Sequence, residues 1–341
     1  ERPSLHVSLA PDGMHYKWQR SAQRRGDPPA TPAASATSPP RNSSDAGFLR
    51  MMAAVSSMVD LPNVEIVAHT ALLPKVPAQN LELVLAPTSD IAHHDVPVPA
   101  AWHFEQAATS SPAATCTRGA SRPQLCVFAE CQGPVDGYRG PLWRHYPPHR
   151  AALLSAAHPQ LRGRLRVSLA APCVGPSLEG FPLEAAWERR ASAELRAEAP
   201  ASVWDGSLAK RAAADPCACE WELLLDDMGP PRRLLHAMGR GALVFRQASP
   251  YVQFFHTLIA PWVHYIPVAD NLADLPNRIA WADAHPNRVR QIAAAGKLLA
   301  ERLHAHEIAC FWWQLLSALA PLEDFEPRSD SSQLGFARFV G

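Results

Sequence analysis

The sequence predicts an α/β fold, and three observations carry that expectation. Short apolar runs of strand length alternate with segments whose apolar residues recur at three-and-four spacing, most regularly from Leu125 onward. Such alternation favours a parallel sheet with helices on both faces. With 341 residues, 47% of them hydrophobic, the chain is long enough for two domains with separate cores.

The first helical repeat runs from Phe48 to Val59, with Phe48, Met51, Met52, Val55, Met58 and Val59 as its apolar positions, and Pro62 ends it. Val64 to Ala68 and Leu81 to Ala86 are apolar runs of strand length joined through Leu73-Pro74, the order of an α/β layer. Leu125 to Ala129 and Leu165 to Leu169 read as strands on either side of a helix from about Pro148 to Ala157. A further strand covers Trp221 to Leu225, then a helix Pro230 to Met238 and a strand Gly241 to Phe245. Ser249 reads as an N-cap with Pro250 at the first helical position, where its missing N–H costs nothing. Val263 to Pro267 enters another strand. Leu272, Leu275 and Ile279 share one helical face, Ile292, Leu299 and Leu303 another, and Phe311 to Leu319 forms the last helix.

Charge and composition exclude several classes. Lysine plus arginine equals aspartate plus glutamate at 32 each, so nothing steers the chain toward nucleic acid or an anionic membrane. No run of about 18 apolar residues is present, so no membrane span is expected. The start at Glu1 leaves a removed leader or anchor open. Many of the 34 prolines fall in low-complexity sequence, above all Arg24 to Asp45, which has almost nothing to bury and reads as a disordered linker or inserted loop. It contains the glycosylation triplet Asn42-Ser43-Ser44. Seven cysteines form no paired CxxC spacing, which argues against a zinc site, whereas disulfides are compatible and their connectivity is open. An odd count leaves at least one thiol free or paired outside the chain. His93-His94-Asp95 supplies no third metal ligand, since neighbours on an extended chain point to opposite faces.

The most particular stretch is Ser249 to Val268, SPYVQFFHTLIAPWVHYIPV, continued by DNLADLPNRIAWADAHPNRVRQIAAAGKLLAERL and IACFWWQLL. It resembles the nucleotide-binding half of CAP10-type glycosyltransferases, glycosyltransferase family 90, which includes protein O-glucosyltransferases of the secretory pathway and fungal capsule xylosyltransferases. The resemblance implies a GT-B-like architecture of two Rossmann-like domains facing a cleft, with C-terminal helices. It divides the chain into an N-terminal segment over 1–47, an acceptor-side domain over 48–122, a nucleotide-sugar-binding domain over 123–300 and a helix and tail over 301–341. It further implies a UDP-sugar donor, glucose or xylose as the sugar, a hydroxyl acceptor on protein or glycan, inversion by single displacement, and residence in the endoplasmic reticulum or Golgi lumen.

Sugar transfer needs a pocket for the nucleotide, donors or cations for the diphosphate, and a base for the acceptor's proton. A metal-binding Asp-x-Asp is missing; only the adjacent Asp226-Asp227 is present, so no metal or other cofactor is expected and amides with arginine would hold the diphosphate. Arg233 is the leading arginine, since LLLDDMGPPRRLLHAMGRGALVF resembles the family's strand, turn, serine-x-arginine and helix; a solvated helix arginine is the plainer reading. The family's serine falls on Pro231. Ser249, Tyr251 and Gln253 open the donor-pocket motif, with Gln253 where the family has a glutamate, although Ser249 also serves simply as a cap. Arg150 keeps a family arginine downstream of Leu125 to Ala129, while the family's arginine-glycine pair becomes Ala129-Glu130; a rival register places Trp143-Arg144 there. The family's catalytic aspartate position is Leu72, which cannot take a proton. Asp95, in a segment resembling the acceptor-side loop, is then the candidate base, with His69, the other candidate near Leu72 in sequence, and Glu130 as further options. Asp95 is equally a turn residue before Val96-Pro97. Trp312-Trp313 reads as core rather than a sugar platform. These departures support an alternative, a catalytically inactive relative that binds a glycan, a nucleotide or a protein.

Overall fold

The computed structural model describes residues 4–10, 13–19, 43–70, 83–109, 123–129, 144–169, 193–214, 218–227, 229–324 and 337–338. The chain divides into two compact units, the first formed by 1–109, 251–254 and 302–341 and the second by 110–250 and 255–301. The low-complexity segment, Leu72 and Glu130 lie outside the described residues, apart from the Ser43–Asp45 end of that segment, which is helical.

A hairpin that the apolar-run criterion misses opens the first unit: β1 (Ser4–Ala10) and β2 (Gly13–Gln19) pair antiparallel with Val7 opposite Tyr16 and Leu9 opposite Met14. Its apolar residues alternate, Leu5, Val7 and Leu9 facing the core, so no continuous run marks it. β1 also pairs antiparallel with β3 (Val64–Ala68), and β3, β4 (Leu85–Ala86) and β5 (Val96–Pro97) are parallel. With β11 (Ala337–Arg338) they form a mixed sheet in the order β11-β2-β1-β3-β4-β5. The expected strand Leu81 to Ala86 is shorter in its described part, because only Leu85 and Ala86 are bonded to neighbours. Helix α1 (Ser43–Met58) buries Phe48, Leu49, Met51, Met52 and Val55, and α2 (Ala101–Thr109) packs beside it. Trp312 of α8 (Ala305–Leu319) is fully buried edge-on to Phe48 at 5.8 Å, as a core residue should be, while Trp313 is exposed.

The second unit is the regular one. Strands β6 (Leu125–Ala129), β7 (Leu165–Leu169), β8 (Trp221–Leu224), β9 (Leu243–Gln247) and β10 (Ile266–Val268) form a fully parallel sheet in the order β10-β9-β8-β6-β7. Numbered within the unit, that is 2-1-3-4-5, a doubly wound order whose direction of travel reverses between β6 and β8. One face carries Leu125, Val127, Trp221, Leu223, Leu243 and Phe245 against α3 (Pro147–Ala157), α6 (Leu275–Ala284) and α7 (Pro286–Arg302). On the other, Cys126 and Phe128 pack against α4 (Ser207–Ala214), and α5 (Leu234–Gly239) lies on β9. Cys126 in β6 is disulfide-bonded to Cys219 just before β8, closing a separation of 93 residues, and Cys310 is free.

Two helix expectations need correction. α5 starts at Leu234 rather than Pro230, and Arg233 is its N-cap residue, because Pro230 and Pro231 remain in the turn that follows β8. No helix starts at Ser249: Val252 donates to the Ser89 carbonyl at 2.7 Å and accepts from the Ser89 amide at 2.9 Å, an extended bridge incompatible with helical hydrogen bonding. Farther on, Trp262 adopts φ 63 in a turn where its N–H meets the Tyr265 carbonyl at 2.7 Å. Its ring packs on Trp281 at 4.8 Å with Arg278 5.0 Å above it. Gly296 of α7 lies so close to this turn that a Cβ there would sit 2.9 Å from the His264 carbonyl oxygen.

Candidate functional site

In a doubly wound sheet the ligand crevice lies beyond the strands' carboxyl ends at the reversal point, here between β6 and β8. The groups that reach this edge come from the loops after β8, β9 and β10. Gln247, the last residue of β9, ties them together: its Oε1 accepts from the Asp226 amide at 2.9 Å and its Nε2 donates to the Asp270 carbonyl at 2.5 Å. The Ala248 amide donates to Val268 at 2.8 Å, which fixes the approach to Ser249.

Asp226 is the most perturbed acid here. Burial raises its pKa from 3.8 to about 7, against the opposing pull of the Ser249 hydroxyl and the nearby Arg246 cation. Its Oδ1 is buried and has no hydrogen-bond partner among the described residues. Asp227, next in sequence, accepts a hydrogen bond from the Tyr146 hydroxyl at the start of α3. The two carboxyl groups thus take hydroxyl donors from different elements rather than forming one clamp. Among the described residues no group of three or more His, Cys, Asp or Glu side chains is arranged to hold a metal.

Arg233 is held on two sides. Its Nε donates to Glu222 Oε1 at 3.0 Å, and its guanidinium lies 4.6 Å over the Phe128 ring near the end of β6. Glu222 is 0% exposed and its other oxygen accepts from Arg240 Nη2 at 2.5 Å. This leaves the two terminal nitrogens of Arg233 without a bond to any described residue, on a side chain that is 41% exposed. The arginine is neither a loose surface cation nor fully spent in its ion pair. Arg150 donates from α3 to the Asn271 carbonyl in the loop after β10, at the same sheet edge. Arg144, offered by the rival register, is instead bonded to Glu194 and Glu198. Arg246 is 8% exposed, bonded to His256 at 2.5 Å and to the Tyr265 hydroxyl at 3.4 Å.

Arg150, Arg233 and Ser249 therefore gather in the second unit, whereas Tyr251, Gln253 and Asp95 belong to the first. Gln253 is 2% exposed and Asp95 3%. Burial distinguishes Asp95 from an ordinary surface turn residue. His69 is also buried, its amide bonded to the Leu85 carbonyl at 2.8 Å. His93 is paired with Asp90 at 2.6 Å. His103 accepts the Ala100 amide at 3.1 Å, and burial lowers its pKa to about 3, so it is neutral at physiological pH. Motif reading missed Gln247 and Arg246 and weighed Asp226 only as part of a metal clamp. Their signal was positional: Arg246 and Gln247 end β9 and Asp226 follows β8 closely, where polar residues succeed apolar ones at a strand's carboxyl end. A cavity of about 390 Å³ lies elsewhere, at the start of β7, lined by Ser155, Arg166, Glu198 and Val203 among others.

Fold and site together define an α/β protein whose second unit is a doubly wound parallel sheet with polar groups gathered at its carboxyl edge. Residues 193–334, rather less than half of the chain, match the family model "Glycosyl transferase family 90". It is 30% identical to protein O-glucosyltransferase 3 of Homo sapiens over 109 residues, which is 32% of this chain and 22% of that protein. Protein O-glucosyltransferase 1 of Rattus norvegicus is 32% identical over 102 residues, 29% of this chain and 26% of that protein. The matched region thus spans about a quarter of the length of these relatives. Among solved structures, sucrose-phosphate synthase from Thermosynechococcus elongatus is similar at a TM-score of 0.36 and 17% identity, covering 59% of this chain and 46% of the other. Anabaena Alr3699/HepE in complex with UDP-glucose gives 0.35 and 16%, covering 58% and 49%.

Proposed function

We propose that the protein transfers a sugar, glucose or xylose, from a UDP-sugar to a hydroxyl group on a protein or glycan, with inversion and without a metal. The observation that carries this reading is Arg233, which lies in the segment similar to the family-90 model and is fixed near the reversal point of the parallel sheet with both terminal nitrogens free of described partners. A planar fork held by its Nε is suited to two parallel bonds with diphosphate oxygens. Ser249 would add a hydroxyl at the same edge, Arg150 a second cation, and Tyr251 and Gln253 contacts to the nucleoside. In the reaction the acceptor oxygen forms a bond to the anomeric carbon as the bond to the diphosphate oxygen breaks. UDP leaves with that electron pair and the acceptor's proton passes to a base, for which Asp95 is the candidate. The Cys126–Cys219 disulfide supports an oxidising compartment, consistent with the endoplasmic reticulum or Golgi lumen.

A second reading, an inactive relative that still binds nucleotide or glycan, is favoured by Leu72 at the family's base position and by Pro231 in place of a serine. Incubation with a panel of UDP-sugars and a hydroxyl acceptor, with UDP release as readout, separates the two. Turnover supports the transferase. UDP binding without turnover supports the inactive relative, and the absence of both overturns the nucleotide-sugar reading.

A further inference from the structure

Asp226 is placed where an anionic ligand would be repelled, at the carboxyl end of β8 beside the reversal point. Its surroundings hold it there firmly. The backbone N–H is fixed by Gln247 at 2.9 Å, and Gln247 is fixed in turn by the Asp270 carbonyl. The carboxyl group is bonded to the Ser249 hydroxyl, while its Oδ1 is buried with no hydrogen-bond partner among the described residues. An oxygen that carries charge but meets neither water nor a donor disfavours the ionised form.

Resting on the nucleotide-sugar reading, we propose that Asp226 is a positioning residue for Ser249, and that a nucleoside diphosphate binds together with a proton taken up by the Asp226 carboxyl. As a carboxylate, Asp226 draws the Ser249 O–H toward itself and opposes the diphosphate by charge. Once protonated it no longer requires that hydrogen and no longer repels, so the hydroxyl is released to donate to a phosphate oxygen. The free group already titrates near neutrality, at about 7, so the exchange is accessible under physiological conditions.

The neighbouring charges set the direction of the effect. From β9, Arg246 favours the carboxylate, and it is itself bonded to His256 and Tyr265. Asp227 is adjacent and engaged by Tyr146; Asp270 offers its carbonyl to Gln247; Asp274, at the start of α6, is paired with Arg278 at 2.8 Å. On the α5 side stand Arg233 and Arg240 with Glu222, and His236, whose pKa burial and the two arginines lower. A bound diphosphate adds negative charge to this set and raises the Asp226 proton affinity further.

The test is calorimetric titration of the full chain with UDP at pH 7.0 and 8.5, both above the phosphate's own ionisation near about 6, each in two buffers of different ionisation enthalpy. Expected are uptake of about half a proton per UDP at pH 7.0 and a Kd about ten-fold weaker at pH 8.5. Asp226→Asn, which keeps an acceptor for Ser249 but cannot ionise, should change less than about two-fold between the same pH values and show no Asp226-linked uptake. Ser249→Ala removes a bond that favours the charged form, so its affinity loss should begin at higher pH, which keeps the idea testable if Asp226→Asn fails to fold. UDP bound equally at both pH values, with heats independent of buffer, overturns the inference and leaves the nucleotide site standing. No UDP binding at either pH overturns the nucleotide-sugar reading and this inference with it.

Discussion

Glu222 lies within β8 and Asp226 two residues beyond its end, and the protein keeps both from water by opposite means. Glu222, 0% exposed, is bracketed by Arg233 and Arg240. Asp226 has one hydroxyl, the Arg246 cation and an oxygen unpartnered among the described residues. The difference separates structure from adjustment: Glu222 is anchored by two ion pairs, whereas an acid that lacks such partners can change its proton at moderate cost.

The sharpest way to break this comparison is Glu222→Ala. It strands two arginines beside the sheet and should cost about 3–5 kcal/mol, read from urea unfolding. A loss under about 1 kcal/mol would make the cluster incidental. Asp226→Asn should act in the other direction and only at higher pH. Because the folded pKa, about 7, is above the ordinary 3.8, the native state holds its proton more tightly. That advantage is full below about pH 4 and lost as pH rises through about 7. The variant should therefore gain on the order of 2–4 kcal/mol on wild type between pH 4 and pH 8, measured as the difference of two unfolding curves; a pH-independent difference would remove Asp226 from the account. The smallest contrast is between the two arginines. Arg240→Ala, from a side chain 15% exposed, should cost about 1–2 kcal/mol. Arg233→Ala, 41% exposed, should cost less than about 1 kcal/mol while weakening UDP binding at least about ten-fold. Equal stability losses with unchanged UDP affinity would reduce Arg233 to a second copy of Arg240.

The second unit was legible because its strands fall between helical repeats: Leu125 to Ala129 is a continuous apolar run, Leu165 to Leu169 is interrupted by Arg166 and Ser168, and both match the observed strands residue for residue. The hairpin of the first unit was not, since its strands alternate Leu5, Val7 and Leu9 with polar residues and so fail a test for runs. Ser249-Pro250 carries a sound local capping signal, yet the long-range bridge from Val252 to Ser89 overrides it. At the candidate site, Arg233 was singled out from its motif, but Glu222, which holds it, reads in sequence as one polar residue inside a strand. Asp226 was visible only as half of a failed metal clamp; its role depends on Gln247 and Ser249, which the sheet brings beside it.

The turn at Trp262 forms a bend that leads into β10. A tryptophan at φ 63 carries roughly 1–2 kcal/mol of backbone strain, and Trp281, Arg278 and the Tyr265 carbonyl all act to hold it. The Pro-Trp-Val-His-Tyr signature is thus a solution to a bend, with Gly296 cut to clear it. A change at Trp262 or Gly296 therefore acts first on the bend that leads into β10, and reaches the groups at the sheet's carboxyl edge only through that strand.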